Sequence, residues 1–177
     1  MRIVAHVVVI GALVVLLGAL WAHFGIGRAF PDLVVLVAVY LGLTARARLA
    51  PSVAGAIAIG YVCDLAMGTP PGAQATVAGT ACVLAHLLHR RLLVRGLFVA
   101  VLLSFFAGLG AGLATLAIRG YFGAIPAGAT GEVGLILGSA ILTGIAGPMV
   151  FRLCQTVDAW FARTERERDF ALEGIAL

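Results

Sequence analysis

The sequence predicts an all-α fold, a polytopic membrane helix bundle with six short transmembrane helices. Hydrophobic residues make up 62% of the 177 positions and charged residues 11%, whereas soluble domains are about 45–50% apolar and about 25% charged. The mean hydropathy is +1.11. So few charges cannot form a water-soluble surface, and we therefore expect lipid to solvate the outward faces of the helices.

Six apolar segments divide the chain. They are Ile3–Ala22, Leu33–Leu43, Val53–Met67, Ala73–Leu88, Leu97–Ile118 and Val133–Leu153. The first, fifth and sixth have the roughly 20 residues that a crossing of the hydrocarbon layer requires. For the short second segment two structures are open: a span that extends into the membrane interface, or a half-span buried among the other helices.

The first segment follows Met1 and Arg2 and could be taken for a secretory signal peptide. Its apolar run reaches Phe24, which is longer than a signal-peptide core of about 7–15 residues, and further spans follow it. We therefore expect a retained transmembrane helix.

The basic residues predict how the segments are oriented. All 12 are arginine. With a cytoplasmic N-terminus and six alternating spans, only Arg28 and Arg119 lie outside. The other ten lie inside: Arg2, Arg46, Arg48, Arg90, Arg91, Arg95, Arg152, Arg163, Arg166 and Arg168. This positive-inside bias predicts that both termini are cytoplasmic.

The predicted domains are a six-span transmembrane domain, residues 1–157, and a charged cytoplasmic C-terminal tail, residues 158–177. Trp160 and Phe161 are typical of the headgroup level of a membrane. Beyond them, Arg163 and Glu167 have the i,i+4 spacing of a helical ion pair. We interpret the tail as a solvated continuation of the last span rather than as a docking helix.

Asp64 is the most informative residue, because it is a carboxylate at the end of an apolar segment. An uncharged turn with Gly68, Pro70 and Gly72 follows it. A charged residue near a lipid-buried helix costs about 2.5–3.5 kcal/mol, so we expect it to have a use. Glycine and proline at these positions can join two antiparallel spans with almost no loop.

Three roles are open for Asp64. Its carboxylate can accept hydrogen bonds from the turn's backbone N–H groups, pair with an arginine such as Arg119, or take up a proton. A proton relay needs partner carboxylates across the membrane, but Asp32 and Glu132 are both predicted on the external side. We favour a structural role in which Asp64 and its turn organise the surface that a partner uses.

Pro31 and Asp32 open the second segment. Proline is tolerated at the start of a helix, where its missing N–H would be unpaired anyway, and an acidic residue there complements the helix dipole. A helix start is a sufficient interpretation. Because it places Asp32 on the same side as Asp64, both Pro31 and Asp32 join the candidate partner- and turn-organising residues.

Elsewhere the sequence predicts no catalytic residue, metal or cofactor. No serine, histidine and acid are set together, and no glycine-rich phosphate loop follows a strand. His86 and His89 have i,i+3 spacing, but the cations that follow oppose a metal, so we interpret the pair as an interfacial or partner-contacting cluster. Arg90, Arg91 and Arg95 form a predicted cytoplasmic basic cluster.

Two small-residue patterns lie in the fifth and sixth segments. Gly108-x-x-x-Gly112 and Gly134-x-x-x-Gly138 each place glycines on one helix face, which lets two backbones approach closely. They predict tight packing between the two spans, or dimerisation. The three cysteines have neither disulfide nor metal spacing and are interpreted as small core residues.

One region of the chain resembles a known family. The order Pro31-Asp32, an apolar continuation to Leu43, a cationic loop, and Gly60 followed by Asp64-x-x-x-Gly68-x-Pro70-x-Gly72 resembles MreD, the bacterial rod-shape-determining membrane protein. The chain length, the six short spans and the Arg90-Arg91 end of the fourth span are also similar. Specific motif agreement is confined to residues 31–72.

The resemblance implies a function and partners. It implies a non-enzymatic scaffold subunit of the cell-elongation (peptidoglycan synthesis) machinery in the bacterial inner membrane. That family is associated with MreC, with the actin-like MreB, and with the RodA glycosyltransferase and its class B penicillin-binding transpeptidase. Its fold is similar to the substrate-binding components of energy-coupling-factor vitamin importers. No nucleic-acid partner is expected.

The fold similarity supplies an alternative function, the substrate-binding component of such an importer. Ala54-x-x-x-Ala58 offers a small-residue face for a coupling subunit, but the predicted external loops contain few polar residues beyond Asp64, Gln74, Tyr121 and Glu132. We favour the scaffold because a binding pocket needs convergent polar groups. A channel or proton-coupled carrier is weaker still, because the ionisable residues cluster at the segment ends.

Overall fold

The computed structural model describes residues 31–45, 49–67, 71–91, 97–121 and 129–175, together with residue 12. These ranges contain five α-helices and no strand, which confirms the all-α prediction. The helices are α1 (Leu33–Thr44), α2 (Leu49–Met67), α3 (Ala73–Arg91), α4 (Leu97–Tyr121) and α5 (Ala129–Ile175). The predicted first span, Ile3–Ala22, lies outside the described residues except for Ala12.

Three of these helices are long and apolar enough to cross a membrane: the stretches Leu49–Ala66, Phe98–Tyr121 and Gly131–Trp160. The apolar parts of the other two, Leu33–Thr44 and Ala73–Leu88, are shorter. At 1.5 Å per residue, α1 measures about 18 Å against a hydrocarbon thickness of about 30 Å. By length and composition the described helices therefore do not support six full-length spans, and this part of the prediction is not sustained.

α1 lies at the centre of the bundle. Every residue from Leu33 to Gly42 is buried, and Val35 and Leu36 are 0% exposed. The helix contacts α2, α3, α4 and α5. The second segment is therefore a short helix buried among the other helices, in agreement with the second of the two structures left open for it.

α1 and α5 run in the same direction. At the start of α1 the Asp32 N–H donates to Thr143 Oγ1 over 2.9 Å, and near its end the Tyr40 hydroxyl donates to Asp158 Oδ2 over 2.7 Å. The residue numbers rise together along the two helices, from 32 to 40 in α1 and from 143 to 158 in α5. α1 therefore lies beside the middle part of α5, away from the start of α5 at Ala129.

α2 and α3 form a close antiparallel pair, as the turn between them predicts. A Cβ atom placed on Gly60 would lie 2.6 Å from the Gln74 carbonyl oxygen, and one on Gly79 would lie 2.9 Å from Ile57 Cγ1. Both glycines are therefore required for the close approach. Ala54, in contrast, is exposed on the outside of α2.

α4 and α5 form the second antiparallel pair, and one of the two glycine patterns lies between them. A Cβ on Gly108 would lie 2.9 Å from Thr143 Cβ, and one on Gly112 would lie 2.6 Å from Ile136 Cγ2. Gly134 faces open space. Of the two glycine patterns, only the one in α4 is therefore shown to lie in the contact between α4 and α5 that the sequence predicts.

The directions of the five helices alternate. α1, α3 and α5 begin at one end of the bundle, and α2 and α4 finish there. We call this the hollow end, because a cavity opens at it. α5 continues as one helix through Asp158 to Ile175, so no helix break separates the predicted transmembrane domain from the predicted tail. The cysteines Cys63, Cys82 and Cys154 are buried free thiols, as expected of small core residues.

Candidate functional site

Asp64 lies at the end of α2 and is 1% exposed. Its Oδ2 accepts hydrogen bonds from the N–H groups of Gly72 at 3.0 Å, Gln74 at 3.1 Å and Ala75 at 3.3 Å. Its Oδ1 lies 3.0 Å from the Gln74 nitrogen. The carboxylate therefore satisfies the unpaired donors at the beginning of α3 and fastens that helix to the end of α2. Of the three roles open for Asp64, this is the first.

Gly72 completes this turn. Its φ is +95°, a conformation that side-chain-bearing residues rarely adopt, and its N–H points to Asp64. The glycine thereby lets the chain reverse while keeping the carboxylate bonded. Gly68 and Pro70, the other predicted turn-organising residues, lie outside the described residues.

Asp32 is the residue immediately before α1. Its Oδ1 accepts a hydrogen bond from the Val35 N–H at 3.2 Å, so it is the N-cap of the helix. Pro31 therefore precedes the cap rather than occupying the first helical turn, because the aspartate side chain is the better partner for the first N–H groups. Asp32 and Asp64 thus cap two helices that begin at the same end of the bundle.

A cavity of about 350 Å³, the polar hollow, opens at this end. The starts of α1 and α3 and the end of α2 form its floor, and one face each of α4 and α5 forms its walls. It exists because α1 begins beside Thr143, so about 20 Å of α5 extends beyond the start of α1. The polar residues that line it are Asp32, Gln74, Thr115, Arg119, Glu132 and Ser139.

The sequence did not predict this site. Asp32, Gln74 and Glu132 were recognised singly as external polar residues, but Thr115 and Ser139 were not. The missed signal is periodic: Thr115 and Arg119 share a face of α4 at i,i+4, and Glu132 and Ser139 share a face of α5 at i,i+7. Polar faces on two adjacent antiparallel helices line a cavity only where the neighbouring helices are too short to cover them.

The opposite end of the bundle contains His86 and the end of α3, to which two residues of the predicted basic cluster belong. His86 is 8% exposed and its Nδ1 lies 3.3 Å from the Gly42 carbonyl oxygen, so it packs against α1 instead of contacting headgroups or a partner. Arg90 and Arg91 lie at the end of α3, with side chains outside the described part of the structure. Arg95 lies outside it entirely.

Comparisons with protein-family models, with curated proteins and with solved structures find no significant match to this chain. Within the described ranges, no group of three or more His, Cys, Asp or Glu residues is placed to hold a metal ion. The site is therefore defined by two capped helix starts, a close turn and a polar hollow. Such an arrangement can hold a surface in a fixed shape and can bind a small polar group.

Proposed function

We propose that this protein is a non-enzymatic integral-membrane scaffold subunit of the bacterial cell-elongation machinery, located in the inner membrane. The proposal starts from the resemblance of residues 31–72 to the rod-shape-determining family. The partners it implies are MreC, and with it MreB, RodA and a class B penicillin-binding transpeptidase. The chain's own role is to present a rigid membrane-embedded surface to them.

The observation that carries the proposal is the hydrogen bonding of Asp64. Three of the resembling residues, Asp32, Asp64 and Gly72, are separated in sequence, yet they lie at one end of the bundle. There Asp64 and Gly72 fix the α2–α3 turn, and Asp32 caps the neighbouring α1. A buried carboxylate fully engaged with backbone donors is suited to holding geometry, since it is already bonded to the turn that it shapes.

The helix directions support a six-span arrangement in which α1 and α3 are short spans. Polar backbone at membrane depth is tolerated where it lines a cavity, and the start of α1 does so at the polar hollow. α1 therefore need not be as long as the bilayer is thick, because the cavity occupies the depth beyond its start. The same directions put Arg90 and Arg91 at one end of the bundle and Arg119 at the other, in agreement with the proposed orientation.

The outward faces of the bundle support a lipid environment. Large apolar side chains are exposed on every described helix except α1: Leu65 is 65% exposed, Phe98 75% and Ile145 69%. In water such faces would drive aggregation, whereas in a bilayer they contact acyl chains. They also provide the surface on which a partner's transmembrane helix would pack.

Topology can be tested with single cysteines at positions 46, 90 and 168, labelled by an impermeant reagent from outside the cytoplasmic membrane. We expect no labelling, because all three positions are cytoplasmic in the proposed orientation. Arg119→Cys is the control, since Arg119 is exposed at the opposite end and should react. Labelling at positions 90 and 168 but not at position 46 would mean that the short helix α3 does not cross.

The importer alternative gains support from the polar hollow. The scarcity of polar residues in the predicted external loops counted against a binding component, but six polar side chains converge in the structure. Ala54 is exposed and Ala58 partly exposed on α2, as a face for a coupling subunit requires. A substrate-binding component therefore stands as the second candidate function.

Purification of the full-length protein in mild detergent, with mass-spectrometric identification of co-purifying proteins, separates the two candidates. A single-span protein with an extracytoplasmic coiled coil supports the scaffold. A pair of ATPases with a small transmembrane coupling protein supports the importer and overturns the scaffold. The Asp64→Leu variant, purified in parallel, should lose the partner while Asp64→Asn retains it.

A further inference from the structure

The polar hollow has a chemistry that the scaffold function does not use. Its floor lies at the starts of α1 and α3, where Asp32 and Gln74 line it. Its walls carry Arg119 on α4 and Glu132 on α5, in the outer part of each helix. Charged and polar groups gathered in a membrane-protein cavity have a desolvation cost that a bound partner offsets.

Gln74 supplies the independent observation that points to a ligand. Its backbone N–H is bonded to Asp64, but its side-chain Oε1 is buried with no hydrogen-bond partner among the described residues. A buried acceptor left without a donor costs about 1–3 kcal/mol. Because Gln74 lines the hollow, a rotation of its side chain would bring this oxygen to a donor group bound there and remove the cost.

The charges of the hollow specify the donor. Among the described ionisable residues that line it, two carboxylates, Asp32 and Glu132, stand against one guanidinium, Arg119. The excess of carboxylate favours a cation, and the buried Gln74 oxygen favours a cation that donates hydrogen bonds. A primary ammonium meets both requirements, whereas a quaternary ammonium meets only the first.

Arg119 specifies the other end of the ligand. It lies two helical turns, or about 10 Å, beyond Gly112, the innermost α4 residue in the wall. A guanidinium binds phosphate or carboxylate groups in a bidentate manner. The wall between the depth of Gly112 and the depth of Arg119 is apolar and can contact a short carbon linker of the ligand. Its residues are Leu116, Leu135 and Ile136.

We propose that the polar hollow binds a compact zwitterion, with its primary ammonium against Asp32 and the Gln74 Oε1 and its anionic group at Arg119. A cavity of about 350 Å³ accommodates a group of this size. The ligand's source is either the headgroup of an aminophospholipid or a free zwitterion of the same chemistry. The hollow adjoins the turn that Asp64 fixes, since the Gln74 N–H is bonded to Asp64, but its ligand does not depend on which partner that turn serves.

The full-length protein in detergent should be titrated with three probes, with binding measured by native mass spectrometry. Short-chain phosphatidylethanolamine carries a primary ammonium and a phosphate. Phosphatidylcholine has the same net charge but no ammonium donor, so we expect it to bind at least about tenfold more weakly. O-phosphoethanolamine, the free headgroup, distinguishes the sources: comparable binding assigns a soluble zwitterion, and weak binding assigns the lipid.

Two variants test the residues. Asp32→Asn removes the charge but keeps a side chain that caps α1, and Gln74→Met removes the buried acceptor with little change in volume. Each should weaken phosphatidylethanolamine binding about tenfold without a large loss of thermal stability. Ser104→Ala is the matched control, because Ser104 Oγ is also buried and unpartnered among the described residues but lies outside the hollow.

Equal binding of phosphatidylethanolamine and phosphatidylcholine would overturn the proposal, since it would show only nonspecific lipid association. So would unchanged binding by both Asp32→Asn and Gln74→Met. If Ser104→Ala weakens binding as much as these variants, the effect is a general loss of structure and the proposal is also wrong.

Discussion

The two aspartates at the hollow end do the same local chemistry in different surroundings. Asp64 is 1% exposed, and its two oxygens accept from three backbone N–H groups. Asp32 is partly exposed and lines the polar hollow, and its Oδ1 accepts from Val35 N–H. A carboxylate at a helix start can thus be committed to the fold, as Asp64 is, or retain the capacity to meet a ligand.

Replacement of Asp64 should produce the largest effect. Asp64→Leu leaves the buried donors of Gly72, Gln74 and Ala75 without their shared acceptor, and at least two unpaired donors cost about 2–6 kcal/mol. Asp64→Asn should cost about 1 kcal/mol, because a single amide oxygen in the position of Oδ2 can still accept from all three. The thermal unfolding midpoint in detergent measures both.

The same pair decides between a structural and an ionic role. At matched membrane levels, the proposed function predicts that Asp64→Asn restores rod shape in a cell that lacks the native protein and that Asp64→Leu does not. If Asp64→Asn inserts and folds normally yet abolishes function, the charge itself is required. The interpretation of Asp64 as an organiser of the turn would then be wrong.

A change at Gly60 should weaken the same region by a different route. In Gly60→Ala the new methyl group meets the Gln74 and Ala75 backbone at 2.6–2.8 Å, which pushes α3 away from α2 and from Asp64. Overpacking of this kind costs about 1–3 kcal/mol. Gly110→Ala is the control, because nothing lies within 4 Å of its Cβ position; its unfolding midpoint should be unchanged or raised. Equal midpoints for the two variants would contradict the close α2–α3 contact.

Asp32 should show the smallest effect on stability. Asp32→Ala removes the N-cap of α1 and should cost about 0.5–2 kcal/mol, whereas Asp32→Asn should leave the unfolding midpoint nearly unchanged. The unfolding midpoints of Asp32→Ala and Asp64→Ala compare the two aspartates directly. The midpoint of Asp64→Ala should fall further. An Asp32→Ala loss that equals the Asp64→Ala loss would mean that Asp32 is also committed to the fold.

Much of the fold follows from local patterns. The apolar runs predict the described helices, and the Gly/Pro turn predicts the antiparallel α2–α3 pair. Gly108 and Gly112 predict the contact of α4 with α5, but the equivalent α5 pattern does not, since Gly134 faces open space. Spacing along one helix identifies a face, but it does not say which face a neighbour covers.

The polar hollow could not be predicted in the same way. Asp32, Gln74, Arg119 and Glu132 come from four different elements, and only the relative heights of those elements bring them together. The height of α1 is set by the long-range bond between the Asp32 N–H and Thr143 Oγ1. The sequence shows that α1 is short, but not where beside α5 it begins.

The sequence by itself determined the helical class, the turn after Asp64 and the start of α1 at Asp32, because each depends on residues close together in the chain. Only the tertiary structure decided that α1 is enclosed, that His86 packs against it, and that a cavity lies above its start. Those features depend on how far each helix slides along its neighbours. Side-chain packing between residues far apart in the chain sets this offset, and it cannot be deduced from the periodicity of a single segment.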